Sequence, residues 1–74
     1  MAKYIRKTLK DFHEITPEVL KQHTFHAKQV KEDTVLDTIY GDVLVTTGNY
    51  VLTDCYGAQV GITPIDLELQ YEKG

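Results

Sequence analysis

Four short β-rich runs, separated by glycine turns, fill the second half of the sequence and constrain the fold more than any other feature. They cover residues 34–40, 43–46, 50–53 and 59–62. Glycines at 41, 48 and 57 interrupt these runs at points where tight turns need the positive φ that glycine tolerates. Short strands joined by such turns predict a small antiparallel β-meander.

Two segments that begin with Thr-Pro predict short helices on either side of the β-rich runs. Thr16-Pro17-Glu18 combines an N-cap, a proline suited to the first helical position and an acidic first turn. We expect this helix near residues 17–26, although residues 25–30 would equally suit an extended segment. Thr63-Pro64-Ile65-Asp66 repeats the signal and predicts a short C-terminal helix near residues 64–71.

The first residues fit two alternatives. Ile5, Leu9 and Phe12 lie at helical spacing, whereas the lysine-rich composition of residues 3–12 also suits an edge strand. The pattern leaves this choice open. Helices packed against one antiparallel sheet give an α+β fold, which we expect to form a single domain over residues 1–74.

Chain length and composition narrow the class of protein. The 74 residues are 42% hydrophobic, as in ordinary globular chains, and the one cysteine, Cys55, excludes an intramolecular disulfide framework. Apolar runs of at most three residues cannot cross a bilayer, and no apolar stretch follows the basic start. We therefore expect a soluble cytoplasmic protein. A chain this short has little room for a deep pocket beside a core, which argues against an enzyme.

Charge is divided unevenly along the chain. Residues 1–31 carry seven basic and three acidic side chains, whereas residues 32–74 carry one basic and eight acidic ones. The basic run at residues 3–10 is the one candidate for contacting nucleic acid, but a pI near 5.4 argues against a dedicated nucleic-acid binder. The opposite net charges of the two halves would also allow copies of the chain to attract one another.

No residue pattern predicts catalysis, a cofactor or a metal ion. His23 and His26 lie three apart, a spacing that matches no zinc motif. Cys55 with a histidine could form a nucleophile–base pair, but its position is explained by a strand end beside a turn. Tyrosine is a common interface residue, and Tyr56 follows Asp54 in a predicted turn. We therefore select Asp54, Tyr56 and Tyr50 as candidate binding residues for a protein partner.

The C-terminal half resembles a family of small phage and prophage proteins of undefined biochemical role. The matching text over residues 38–72 is Thr38-Ile39-Tyr40-Gly41-Asp42, Gly48-Asn49-Tyr50-Val51-Leu52, Gly57-Ala58 and the segment from Thr63 to Glu72. Asn49, Ala58, Thr63 and Leu67 depart from the family, which has Asp, Glu, Lys and Phe there. The resemblance implies a phage gene that acts inside a bacterial host. Together with the lack of catalytic motifs and the tyrosine-rich turns, this context leads us to expect a phage-encoded accessory protein of the host cytoplasm that binds another protein and modulates or inhibits a host protein. A homo-oligomeric assembly protein is the first alternative, and a nucleic-acid or nucleotide binder is the second.

Overall fold

A computed structural model describes residues 2–74, within which the chain forms seven strands, two α-helices and one 3-10 helix. The strands are β1 (Ala2–Arg6), β2 (Thr24–Gln29), β3 (Thr34–Thr38), β4 (Gly41–Val45), β5 (Tyr50–Thr53), β6 (Gln59–Ile62) and β7 (Tyr71–Lys73). The α-helices are α1 (Pro17–Gln22) and α2 (Pro64–Gln70), and the 3-10 helix spans Lys7–Asp11. The predicted α+β class is confirmed.

Five strands form one antiparallel sheet in the order β6-β5-β2-β1-β7, and β3 and β4 form a separate hairpin. The hairpin β5–β6 closes at the predicted turn around Gly57. The predicted strand over residues 34–40 was wrong at its end, because the β3–β4 turn lies at residues 39–40 and Gly41 begins β4. The order nevertheless differs from that of a sequential meander, because β5 pairs with β2 rather than with β4. The β3–β4 hairpin therefore forms no ladder with the five-stranded sheet, and it packs across one face of that sheet.

The core consists of two clusters on opposite faces of the sheet. Successive strand residues point to opposite faces, so Leu52 and its neighbour Val51 belong to different clusters. The helix-side cluster contains Phe25, Ala27, Leu52, Leu67 and Tyr71. The hairpin-side cluster contains Val30, Leu36, Val45 and Val51. Helix α2 therefore packs on one face of the sheet, and the β3–β4 hairpin packs on the other.

The first helix is shorter than predicted. The expectation of a helix near residues 17–26 was wrong at its end, because α1 stops at Gln22 and β2 begins at Thr24. Thr24 pairs with Ile5 of β1, and Phe25 is buried in the helix-side cluster. Ladder hydrogen bonds and burial of Phe25 outweigh another helical turn, so the extended alternative for this segment is the one adopted.

The N-terminal segment, for which the sequence allowed either a strand or a helix, forms both: strand β1 is followed directly by the 3-10 helix. Strand β1 lies inside the sheet, between β2 and β7, rather than at its edge. The predicted C-terminal helix is confirmed over Pro64–Gln70, and Tyr71 then begins the short strand β7. Within residues 2–74, neither α-helix has the length and apolar character that crossing a membrane requires.

Candidate protein-binding site

The turn between β5 and β6 is built around the carboxylate of Asp54. Asp54 Oδ1 accepts hydrogen bonds from the backbone N–H of Tyr56 at 2.8 Å and of Ala58 at 2.9 Å. The Asp54 backbone N–H donates to the Ala58 carbonyl at 3.0 Å, and Gly57 adopts a φ of 85° that favours glycine. Asp54 thus holds the turn closed, and Tyr56 extends from it with 73% of its surface exposed.

The turn of the β3–β4 hairpin places two large apolar residues in solvent. Ile39 and Tyr40 are each 92% exposed. Thr38 fixes this turn, since its hydroxyl donates to the Gly41 carbonyl at 2.7 Å and accepts from the Tyr40 backbone N–H at 3.2 Å. Gly41 takes a φ of 104°, so the turn can close without positive φ at Ile39 or Tyr40. Ile39 and Tyr40 therefore do not belong to the core of the described chain, so core packing does not explain why apolar residues occupy this turn.

An open groove of about 650 Å³ lies between the hairpin tip and the β5–β6 turn, and we call it the tyrosine groove. Its large apolar lining residues are Ile39, Tyr40, Val43, Tyr56 and Val60. Asp37 also lines it, and among the described lining residues none is basic. Large contiguous apolar patches at a protein surface commonly mark interaction sites. The groove therefore combines an aromatic, apolar surface with negative charge.

The hairpin that forms one wall of the groove is fixed at its base by Asp33 and Thr47. Asp33 Oδ1 accepts hydrogen bonds from the Thr47 backbone N–H and from the Thr47 hydroxyl, both at 2.9 Å. The backbone bond, and then the hydroxyl bond, lower the pKa of Asp33 below its ordinary value of 3.8. These contacts join the segment that enters the hairpin to the segment that leaves it.

The structure places the three predicted binding residues at two different sites. Asp54 and Tyr56 share one turn, where Asp54 has a structural role and Tyr56 lines the groove. Tyr50 instead packs, partly buried, against the helix-side cluster. It borders a separate concavity together with Tyr4 and Pro64. Tyr50 and Tyr56 therefore do not form a joint surface.

The candidate metal-binding and nucleophilic residues lie on different elements: His23 follows the end of α1, His26 is on β2, and Cys55 is in the turn between β5 and β6. His23 Nδ1 lies 2.8 Å from the Val19 carbonyl oxygen, and its ring meets the Phe12 ring edge-on at 4.7 Å between centroids. His26 and Cys55 border a shallow depression beside α1. Within residues 2–74, no three His, Cys, Asp or Glu side chains are grouped so that they could hold a metal ion.

The basic run at residues 3–10 does not form one continuous exposed surface. Arg6 is half-buried, with its guanidinium carbon 4.9 Å from the centre of the Phe25 ring and 5.8 Å from that of Tyr71. Its Nη2 also donates a weak hydrogen bond of 3.5 Å to the Tyr71 hydroxyl. Arg6 is therefore engaged in cation–π contacts that connect β1 to β2 and β7.

Sequence reasoning missed the hairpin side of the groove, which is formed by Ile39, Tyr40 and Val43, and also missed Val60 on β6. A signal was present, because Ile39-Tyr40 fills a turn position where polar residues are usual. The juxtaposition of this turn with the β5–β6 turn depends on packing between distant segments. The apolar turn alone would have identified an exposed tip but not the groove.

Comparison with known proteins adds no identification: no protein-family model, curated protein or solved structure matches this chain.

Proposed function

We propose that this chain is a small phage-encoded accessory protein that acts by binding another protein through the tyrosine groove. The observation that carries the proposal is the exposure of Ile39, Tyr40 and Tyr56 around one apolar concavity. Protein interfaces are enriched in tyrosine and exclude water around such anchors. The phage context comes from the resemblance of residues 38–72, and it makes a host protein in the bacterial cytoplasm the expected partner.

The mechanism that fits this surface is occlusion rather than catalysis. The groove offers tyrosine and aliphatic side chains on two turns that their own hydrogen bonds hold in place. A preformed surface loses little conformational entropy on binding, which favours a stable complex. Covering a functional surface of a host protein would modulate or inhibit that protein without any chemical step.

Affinity capture from bacterial lysate at moderate salt tests this function. We expect the tagged protein to retain one discrete partner, and Tyr56→Ala and Tyr40→Ala each to abolish its retention. Leu69→Ala is the matched control, because Leu69 is 67% exposed on α2 and lies outside the groove. Retention that survives both groove substitutions would contradict the proposal, as would equal loss in the Leu69→Ala control.

Self-association is the second candidate function, and a different surface favours it. Val35 and Leu44 are directly opposite each other on the hairpin, and their exposed fractions are 61% and 59%. Such a pair could be buried by a second copy of the chain. Light scattering would support assembly if it finds a discrete oligomer that Val35→Lys dissociates, whereas a monomer at all concentrations would exclude it.

A further inference from the structure

The β3–β4 hairpin covers only part of the sheet face on which it packs. On the central strand β2, Phe25 and Ala27 are buried on the helix side, so His26 and Lys28 point to the hairpin side. Lys28 is directly opposite Val51, which belongs to the hairpin-side cluster, yet Lys28 and His26 are both exposed. The part of this face that β2 forms at residues 26 and 28 is therefore open.

The open part of this face carries basic side chains from two neighbouring strands. Lys3 of β1 is directly opposite His26 and is also exposed. Directly opposed residues share one face of a sheet. Lys3, His26 and Lys28 therefore form one patch, which we call the basic face. A groove of about 670 Å³ between this patch and β3 adds Lys31, and among its described lining residues Glu32 alone is acidic.

Two carboxylates lie around the basic face rather than within it. Glu72 points to the same side of the sheet, since it is opposite Ile5, but it belongs to the edge strand β7. Glu32 lies in the segment between β2 and β3. The β5 residues opposite the two basic positions of β2 are Thr53 and Val51, which are uncharged. The centre of the patch is therefore positively charged.

The outward face of the β3–β4 hairpin has the opposite charge. Leu36 points to the sheet, where it is buried, so its neighbours along β3 point away from the sheet. This outward face contains two opposed pairs, Val35 with Leu44 and Asp37 with Asp42, and all four residues are exposed. Like charges in such cross-strand positions destabilise a hairpin. We call these four residues the acidic hairpin face.

We propose that the acidic hairpin face of one copy docks on the basic face of the next, so that the chain associates head to tail. The two carboxylates of one copy would meet the two lysine ammonium groups of the other. The apolar pair, Val35 and Leu44, would pack on the aliphatic parts of those lysine side chains. This inference goes beyond binding through the tyrosine groove, and it gives self-association, the second candidate function, a defined pair of surfaces.

Charge selects a second copy as the occupant of the basic face. Within one chain the acidic hairpin face points away from the sheet, so it cannot neutralise that chain's own basic face. Contact between two acidic hairpin faces would bring four carboxylates together, which is unfavourable. Nucleic acid would meet the lysines, but it would also meet a chain whose residues 32–72 contain eight acidic and no basic side chains.

Charge exchange between the two faces tests this inference. Asp37→Lys combined with Asp42→Lys reverses the hairpin face, and Lys3→Glu combined with Lys28→Glu reverses the basic face. We expect light scattering at low ionic strength, where exposed charges are little screened, to show association of the wild type. Each double variant should associate about tenfold more weakly. An equal mixture of the two variants should associate again, because their reversed faces complement each other.

Asp66→Lys combined with Glu68→Lys is the matched control, since it makes the same change in net charge at exposed sites on α2, across the sheet from the basic face. This pair should leave association unchanged. Amide NMR spectra of each variant establish that it is folded. Equal weakening by the control pair, or a mixture of the two folded face variants that stays monomeric, would overturn the inference.

Two further outcomes would also overturn it. One is a wild-type monomer at every concentration, which would remove the second candidate function as well. The other is a monomer that binds a labelled oligonucleotide through Lys3 and Lys28, which would assign the basic face to nucleic acid. Neither outcome bears on binding through the tyrosine groove, since the dependence of lysate capture on Tyr56 tests that function separately.

Discussion

Gly61 of β6 lies so close to Val45 of β4 that a β-carbon added to Gly61 would stand 2.9 Å from the Val45 Cγ2 atom. Val45 is buried in the hairpin-side cluster and has little space in which to move. The absence of a side chain at residue 61 is therefore what allows the hairpin to pack against the sheet edge. The same contact sets the position of the hairpin wall of the tyrosine groove.

Gly61→Ala should destabilise the protein by about 1–3 kcal/mol, the usual cost of overpacking a closely packed site. Chemical denaturation measures the change in the free energy of unfolding. In a double-mutant cycle with Val45→Ala, the two costs should be less than additive, because the smaller side chain removes the clash. Strictly additive costs would show that the two residues do not meet as described.

Leu36 and Val35 test the packing of the hairpin, since they are adjacent in sequence but point to opposite faces of it. Leu36→Ala should cost about 2–4 kcal/mol, because Leu36 is buried in the hairpin-side cluster. Val35→Ala should change stability by less than about 0.5 kcal/mol in the monomer, since its side chain is exposed. Similar costs for the two substitutions, measured by thermal or chemical denaturation, would contradict the position of the hairpin.

Asp54 should stabilise the β5–β6 turn through hydrogen bonding rather than through its charge. Asp54→Ala removes the acceptor for the N–H groups of Tyr56 and Ala58, and we expect a loss of about 1 kcal/mol. Asp54→Asn keeps a side-chain oxygen in the same position and should retain most of the stability. Equal losses in the two variants, measured by chemical denaturation, would show that the hydrogen-bond acceptor is not what matters.

The Asp33–Thr47 contact should give stability a defined dependence on acid. The pKa of Asp33 is lowered in the folded protein by its hydrogen bonds to Thr47, so its contribution is complete above the ordinary value of 3.8. That contribution is lost as the pH falls through the lower pKa of the folded state. The stability difference between wild type and Asp33→Asn should therefore be constant at neutral pH and shrink in acid. A difference that persists unchanged in acid would contradict this account.

Local signals in the sequence were sufficient for much of the fold. Gly57 marked the β5–β6 turn correctly, whereas Gly41 placed the β3–β4 turn after residue 40 and the turn lies at residues 39–40. Thr16 and Thr63 marked both helix starts, where each side chain caps a backbone N–H. These features depend on a few neighbouring residues. The end of α1 could not be predicted in this way, because it depends on the pairing of β2 with β1 and on the burial of Phe25.

The candidate site was predictable only in part for the same reason. Tyr56 was identified from its own turn, whereas its neighbours Ile39 and Tyr40 belong to another hairpin brought close by packing across the sheet. Tyr50 was grouped with Tyr56 because both are tyrosines of the β-rich half of the sequence. Strand alternation places Tyr50 with Leu52 on the helix side instead. Tyr50 and Tyr56 are thus separated by the way the strands pair, and the order of residues in the sequence does not specify that pairing.

Site-specific photo-crosslinking in bacterial cells is the most direct test of binding through the tyrosine groove. A photoreactive phenylalanine analogue would replace Tyr56 in one variant and the comparably exposed Leu69 of α2 in another. The account predicts one discrete crosslinked protein from residue 56 and none from residue 69. Crosslinks of equal yield from both positions, or from residue 69 alone, would contradict the groove as the binding surface.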